Sequence, residues 1–135
     1  MNGQFQIAIH ILTLLDAAPD DLLSSEYIAG SININPALVR KEISNLRNFG
    51  LITSKEGKAG GYTLGLPAHK IFFSDVYKAI KHQPPLGQAK NMPNPACPVG
   101  RQINQHLNTL AQDVDNAIFN KLNTITLAAF SQKFK

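Results

Sequence analysis

The segment 36–64 constrains the fold more than any other, because a helical pattern stops abruptly there and a short two-stranded pattern begins at once. Leu38, Val39, Ile43, Leu46 and Phe49 recur at the 3.6-residue period, which predicts a helix with these five on its core face. Gly50 follows where a glycine stops a helix. Leu51-Ile52-Thr53-Ser54 then reads as a strand, Gly57-Lys58-Ala59-Gly60-Gly61 as a turn, and Tyr62-Thr63-Leu64 as the returning strand. Upstream, Ser24 or Ser25 is placed to N-cap a short helix running to Gly30, with Tyr27 and Ile28 toward the core and Gly30 permitting a sharp turn. Residues 31–35 form that turn, Asn35 caps the next helix and Pro36 takes its first position. Helix, turn, helix and hairpin in this order make a winged helix-turn-helix. Such a unit can put its second helix in the DNA major groove and its hairpin tip on the flanking backbone or minor groove.

Helices are expected on both sides of this unit. Phe5 to Asp16 carries a wide apolar face and is broken at Pro19. Ser74 is expected to cap a helix reaching about His82, with Val76, Tyr77 and Ile80 apolar, and Gln83-Pro84-Pro85 stops it. Residues 83–98 are rich in proline, glycine and asparagine and read as a loop. Val99, Ile103, Leu107, Leu110, Val114, Ala117 and Leu122 then recur over 99–122, a helix of roughly 36 Å. So long a stripe cannot be covered by so small a domain, and a second copy in a two-fold dimer is its natural partner. Thr126 caps a last short helix with Leu127, Phe130 and Phe134 on one face. The expected class is mainly α with a small β-hairpin: a winged helix-turn-helix over 1–82, a loop over 83–98, and a long C-terminal dimerisation helix with a terminal helix over 99–135.

Composition narrows the function classes. An apolar fraction of 44% is ordinary for a folded domain, and no stretch reaches the roughly 18–20 apolar residues of a membrane span. No secretory leader pattern precedes the first helix, and the single cysteine excludes an internal disulfide, so a reducing cytoplasm is the expected compartment. The net charge of +4 is unevenly spread: residues 1–66 hold five Lys/Arg against six Asp/Glu, and residues 67–135 hold eight against three. All five cations of the first half nevertheless fall between Arg40 and Lys58, the segment that would face DNA. Phosphate-binding loops, nucleophile elbows and paired carboxylates in a pocket context are missing, so no enzyme is expected.

The residues resemble the Rrf2 family of bacterial transcriptional regulators over nearly the whole chain. The resemblance is carried by Val39-Arg40-Lys41 through Leu46-Arg47, Phe49-Gly50-Leu51-Ile52, Gly57-Lys58-Ala59-Gly60-Gly61-Tyr62-Thr63-Leu64, Phe73-Ser74-Asp75-Val76-Tyr77-Lys78-Ala79-Ile80 and Asn94-Pro95-Ala96-Cys97-Pro98-Val99-Gly100. It implies a homodimeric regulator that binds double-stranded DNA, expected to act as a repressor. Several members hold an iron–sulfur cluster with three cysteines in the loop before the long helix. This loop has Cys97 alone, and one thiolate cannot replace three, so the resemblance is to the cluster-free, YwnA-like subgroup with no cofactor. A second departure is Glu56, where members commonly place arginine before the first wing glycine. A carboxylate repels phosphate, and Lys55 and Lys58 beside it would supply the cation instead.

Candidate DNA contacts follow. Arg40, Lys41 and Arg47 can reach phosphates or base edges, arginine with two parallel hydrogen bonds and lysine as a point charge; the plainer alternative is a solvated helix face. Asn33, Asn35, Ala37 and Leu38 lie where base contacts concentrate, although Asn35 has a sufficient explanation as a cap. Ser44 and Asn45 are polar and face either DNA or solvent. Tyr62 either meets phosphate or packs the hairpin on the helices. Cys97 is the candidate redox residue, set against the simpler reading of an inert thiol between prolines, with no basic cluster to activate it. His106 stands nine residues beyond it without a zinc spacing, and His10, His69 and His82 read as structural or surface groups. Two rivals remain open: a winged-helix interaction module lacking DNA binding, and a thiol- or ligand-responsive regulator acting through Cys97. No metal site or effector is identifiable.

Overall fold

The computed structural model describes residues 3–80 and 84–135, so the expected helix end at His82 lies outside the described residues. Helices α1 (Gln4–Ala17), α2 (Ser25–Ile32) and α3 (Pro36–Asn48) lead into strands β1 (Ile52–Lys55) and β2 (Gly61–Leu64). A 3₁₀ turn at Ala68–Lys70, α4 (Phe73–Ile80), α5 (Ile103–Leu122), α6 (Leu127–Ser131) and a closing 3₁₀ turn at Gln132–Phe134 complete the chain.

Capping chemistry sets the helix ends. Ser24 Oγ accepts the Tyr27 amide at 3.1 Å, and Asn35 Oδ1 accepts the Ala37 amide at 2.7 Å, each answering a free donor of a first turn. At the far end of α3 the Gly50 amide donates to Arg47 O (2.9 Å) and the Leu51 amide to Leu46 O (3.0 Å). This is a Schellman closure, and it requires the left-handed backbone that Gly50 supplies at φ 79°. Helix α2 outruns the expected stop at Gly30. Gly30 lies inside the helix, Ser31 and Ile32 belong to its last turn, and Asn33 ends it in the left-handed region at φ 63°, a conformation asparagine tolerates.

One core joins both halves. Ile11, Leu12 and Leu15 of α1, Ile28 of α2, Val39, Ile43 and Leu46 of α3, Ile52 of β1 and Val76 of α4 are fully buried, as is Leu127 of α6. Helix α6 returns to α1, fixed by the Leu127 amide on Ile71 O (2.8 Å) and the Phe73 amide on Ile125 O (2.9 Å). The hairpin pairs Ile52 with Leu64 and Lys55 with Gly61 in antiparallel register. It is tied to the chain before α2 by reciprocal bonds between Leu23 and Tyr62 at 3.0 and 2.8 Å. Gly61 permits this approach, because a Cβ there would stand 2.8 Å from Leu23 O.

Four apolar positions differ from expectation. Leu38 and Phe49 are 55% and 54% exposed. At about 100° per residue they fall well round the helix from Val39 and Ile43, and the arc between is taken by buried Glu42, which accepts Gln4 Nε2 at 3.0 Å. Tyr27 is exposed because α2 buries Ser25, Ile28 and Ala29, the i, i+3, i+4 set that omits it. Phe134 is exposed in the terminal 3₁₀ turn. Ser74 does not cap α4: it is buried inside the helix and donates to Asn123 Oδ1 at 2.7 Å, while Asp75 Oδ2 accepts the Phe72 amide at 2.9 Å.

Helix α5 begins at Ile103 rather than Val99, after turns in which the Arg101 amide bonds Cys97 O at 3.0 Å and the Ile103 amide bonds Val99 O at 2.9 Å. Its 20 residues span roughly 30 Å, and none is buried. It rests on α4, where the Tyr77 hydroxyl donates to Asp115 Oδ1 at 2.7 Å and Lys78 Nζ lies 4.8 Å from the Phe119 ring centre. Leu107 and Leu110, in the half beyond this joint, are 49% and 50% exposed.

Two measurements check this packing. Leu46→Ala empties a fully buried site at the α3 seam and should cost about 2–5 kcal/mol in urea unfolding, with an unaltered slope. Desolvation, then the bond to Asp115 and its charge, push the Tyr77 phenol up from 10.0 to about 12. The unfolded chain gives up that proton first, so this contribution to stability is complete below about pH 10 and is lost as pH rises toward 12. Urea midpoints of the wild type and Tyr77→Phe should therefore converge over that window.

Candidate nucleic-acid interface

Burial of Val39, Ile43 and Leu46 decides what α3 presents outward. Ala37 and Lys41 are exposed and Ser44 half-exposed, following one another at steps of four and three along the far side of the helix. Asn35 lies exposed at the helix start with its Oδ1 engaged in the cap. Asn33 is exposed in the left-handed turn just before it. The amide of Asn45, by contrast, turns inward and donates to Ala79 O at 2.9 Å.

The two arginines, seven residues apart, lie together along one edge of that strip, and each is held. Arg40 Nη1 donates to Ser25 Oγ at 3.4 Å and stands 3.7 Å from Glu26 Oε1; the pair is exposed on both sides. An exposed pair of this kind contributes about 0–1 kcal/mol, so a phosphate can displace Glu26 at small cost. Arg47 Nη1 donates to Ser54 Oγ at 3.1 Å and so bridges the end of α3 to β1. The guanidinium is thereby set between helix and wing, with further N–H groups left to contact an anion.

The wing carries Lys55, Glu56 and Lys58, all exposed around its turn. Lys55 is the last residue of β1 and pairs with Gly61. Tyr62 is half-buried against the core, and its backbone holds the Leu23 bridge, the packing alternative set out for it. Of these candidates, Arg47 reaches the hairpin directly, through Ser54 of β1. Ser25, Glu26 and Ser54, which orient the arginines, carried no sequence signal, since their pairings join different elements across 15, 14 and 7 residues.

Cys97 lies elsewhere, exposed in the loop before α5, where its Sγ accepts the Gly100 amide at 3.4 Å. His10 bonds Ser31 Oγ at 3.0 Å, and His69 and His106 are exposed.

Residues 1–133 match the family model Rrf2, described as an iron-dependent transcriptional regulator. YwnA of Bacillus subtilis (strain 168), named as an HTH-type transcriptional regulator, is 38% identical over 122 residues, 90% of either chain. A crystal structure assigned to a DNA-binding protein has a TM-score of 0.75 at 34% identity, over 93% of this chain and 96% of that one. A crystal structure of a transcriptional regulator from Lactobacillus plantarum has a TM-score of 0.82 at 25% identity, over 99% of this chain and 91% of that one.

The iron in the family description can be tested against the donors. Cys97 is the one cysteine in the sequence, and among the described residues no three His, Cys, Asp or Glu side chains stand together as a metal-binding group. These residues do not fit an iron–sulfur cluster, which is held mainly by several thiolates.

Proposed function

The chain belongs to the Rrf2 family of transcriptional regulators and has their winged helix-turn-helix fold, and on that premise we propose that it acts as a homodimeric, sequence-specific DNA-binding repressor without an iron–sulfur cluster. The observation that carries the reading is the outward strip of α3, with Ala37, Lys41 and Ser44 in line and Arg40 and Arg47 along one edge of it. Its cations answer phosphate charge, its two arginines have the donor geometry that reads guanine, and its opposite side is locked in the core. Lys55 and Lys58 meet the flanking backbone from the wing while Glu56 holds that contact weak. Asn33 and Asn35 sit at the helix entrance, where a base edge or phosphate meets the positive end of the helix dipole.

Dimerisation through α5 supplies the second reading head. The exposed Leu107 and Leu110 on a helix with no buried residue support a second copy as their cover. Residues 1–82 would then read DNA and residues 99–135 join the copies across the 83–98 loop. A two-fold pair of α3 helices suits a palindrome with half-sites about 34 Å apart. Occupying such a site blocks a promoter, and the cytoplasm is where a regulator of this kind meets DNA.

Two tests separate reading from joining. The double variant Arg40→Ala/Arg47→Ala should lose binding to a duplex selected in vitro and keep its sedimentation behaviour, because neither arginine serves the core. Undiminished affinity in a gel shift would discard α3 as the reading helix. Leu107→Asp with Leu110→Asp should yield a folded monomer in analytical ultracentrifugation and weaken operator binding at least tenfold, since each half-site is then bound alone. A dimer that survives both charges would remove α5 from the interface.

A further inference from the structure

A half-open hollow of about 540 Å³ lies on the side of α1 that faces α6, away from α3 and the hairpin. It falls inside the roughly 300–1,000 Å³ of small-molecule sites. Its wall is aromatic. Phe5, Phe73, Phe130 and Phe134 follow one another edge-to-face, with ring centres 6.0, 5.1 and 5.4 Å apart. Such a run presents ring faces and edges to a further planar ring. At the rim stand Gln6 and His10, one helical turn apart on α1, and no carboxylate is among the described residues that line the hollow. An amide and an imidazole side by side can both donate to an anion, and nothing in the lining repels one.

We propose that this hollow is an effector site for a planar aromatic carboxylate, with the ring among the phenylalanines and the carboxylate on Gln6 and His10. His10 makes the site more than a receptacle. Its Nε2 is bonded to Ser31 Oγ at 3.0 Å, and Ser31 lies in the last turn of α2, two residues before the left-handed Asn33 that sets the entry to α3. A carboxylate that draws His10 toward itself competes with Ser31, so occupancy of the hollow is felt at the turn of the helix-turn-helix. Binding stands on the hollow alone; its consequence for DNA rests on the function proposed above. The α5 stripe assigned to the dimer contributes no residue of its own chain to the lining.

Isothermal titration calorimetry of the full chain with naphthoate, against uncharged naphthamide, decides the site. Naphthoate should saturate at one per chain and bind about tenfold more tightly, the worth of a charged hydrogen bond. His10→Ala should abolish that preference. Phe134→Ala, at a residue 67% exposed and therefore safe for folding, should weaken both ligands several-fold. Fluorescence anisotropy with a selected duplex should show its affinity altered by saturating naphthoate in the wild type and unaltered in Ser31→Ala. Failure to saturate, a preference that survives His10→Ala, or a duplex affinity indifferent to naphthoate in the wild type overturns the proposal. So does exclusion of naphthoate from the dimer with admission to the Leu107→Asp/Leu110→Asp monomer, which would mean that a second copy fills the hollow. A chain that binds no duplex at all would strike the DNA reading, and the calorimetry would still decide the hollow.

Discussion

Everything on the reading side depends on how α3 is held. Val39, Ile43 and Leu46 are sealed against α1, α2 and β1, and the closure at Gly50 turns the chain directly from the helix into the hairpin. Two consequences follow. The polar side of α3 is fixed in direction because its apolar side has no alternative packing at comparable cost. The wing is fixed to the same body, through Leu51 at the helix end and Leu23 at Tyr62, so the cations of the helix and those of the hairpin keep a common frame. A recognition surface assembled on rigid elements loses little freedom when it meets DNA.

Charge acts here through placement. The first half of the chain is acidic by one charge in sum, which by itself argues against a polyanion partner. The fold sends Asp16 to the end of α1 and leaves Asp20 and Asp21 in the following turn, while Arg40, Lys41 and Arg47 line up along α3. Glu26 is the acid brought to the strip, where it pairs with Arg40 and can be exchanged for a phosphate. Within a Debye length of about 8 Å, local arrangement outweighs the domain's total.

Much of this was legible in the chain because it is local. Asn35 followed by Pro36, the Phe49-Gly50 stop and the glycine-rich turn each have a mechanism confined to a few residues, and each stands where it was expected. The misreadings come from tertiary choices. The 3.6-residue spacing leaves Leu38 and Phe49 only at the edge of a wide apolar arc, and the buried contact of Glu42 with Gln4, 38 residues away, fills the helix between them and Val39. Ser74 has the composition of a cap and is instead drawn inside by Asn123, 49 residues downstream. Gly30 looks like a stop, yet Asn33 supplies the left-handed residue three positions later. The arginine positions were readable; the hydroxyls and the carboxylate that aim them belong to other elements.

Helix α4 links the two ends of the molecule. On one side its Ala79 carbonyl takes the Asn45 amide of α3; on the other its Tyr77 hydroxyl is bonded to Asp115 of α5. Both bonds are short, and Val76 and Ala79 between them are buried. The angle between the reading helix and the long helix is therefore set by one short element packed on both. In a dimer joined through α5, that angle fixes the separation of the two α3 helices, and with it the half-site spacing a duplex must offer. A substitution at Tyr77 or Asn45 would act on spacing preference rather than on base preference, because neither side chain belongs to the outward strip. Under the proposed function, sequence reading and spacing selection would thus fall to different residues of one continuous packing path.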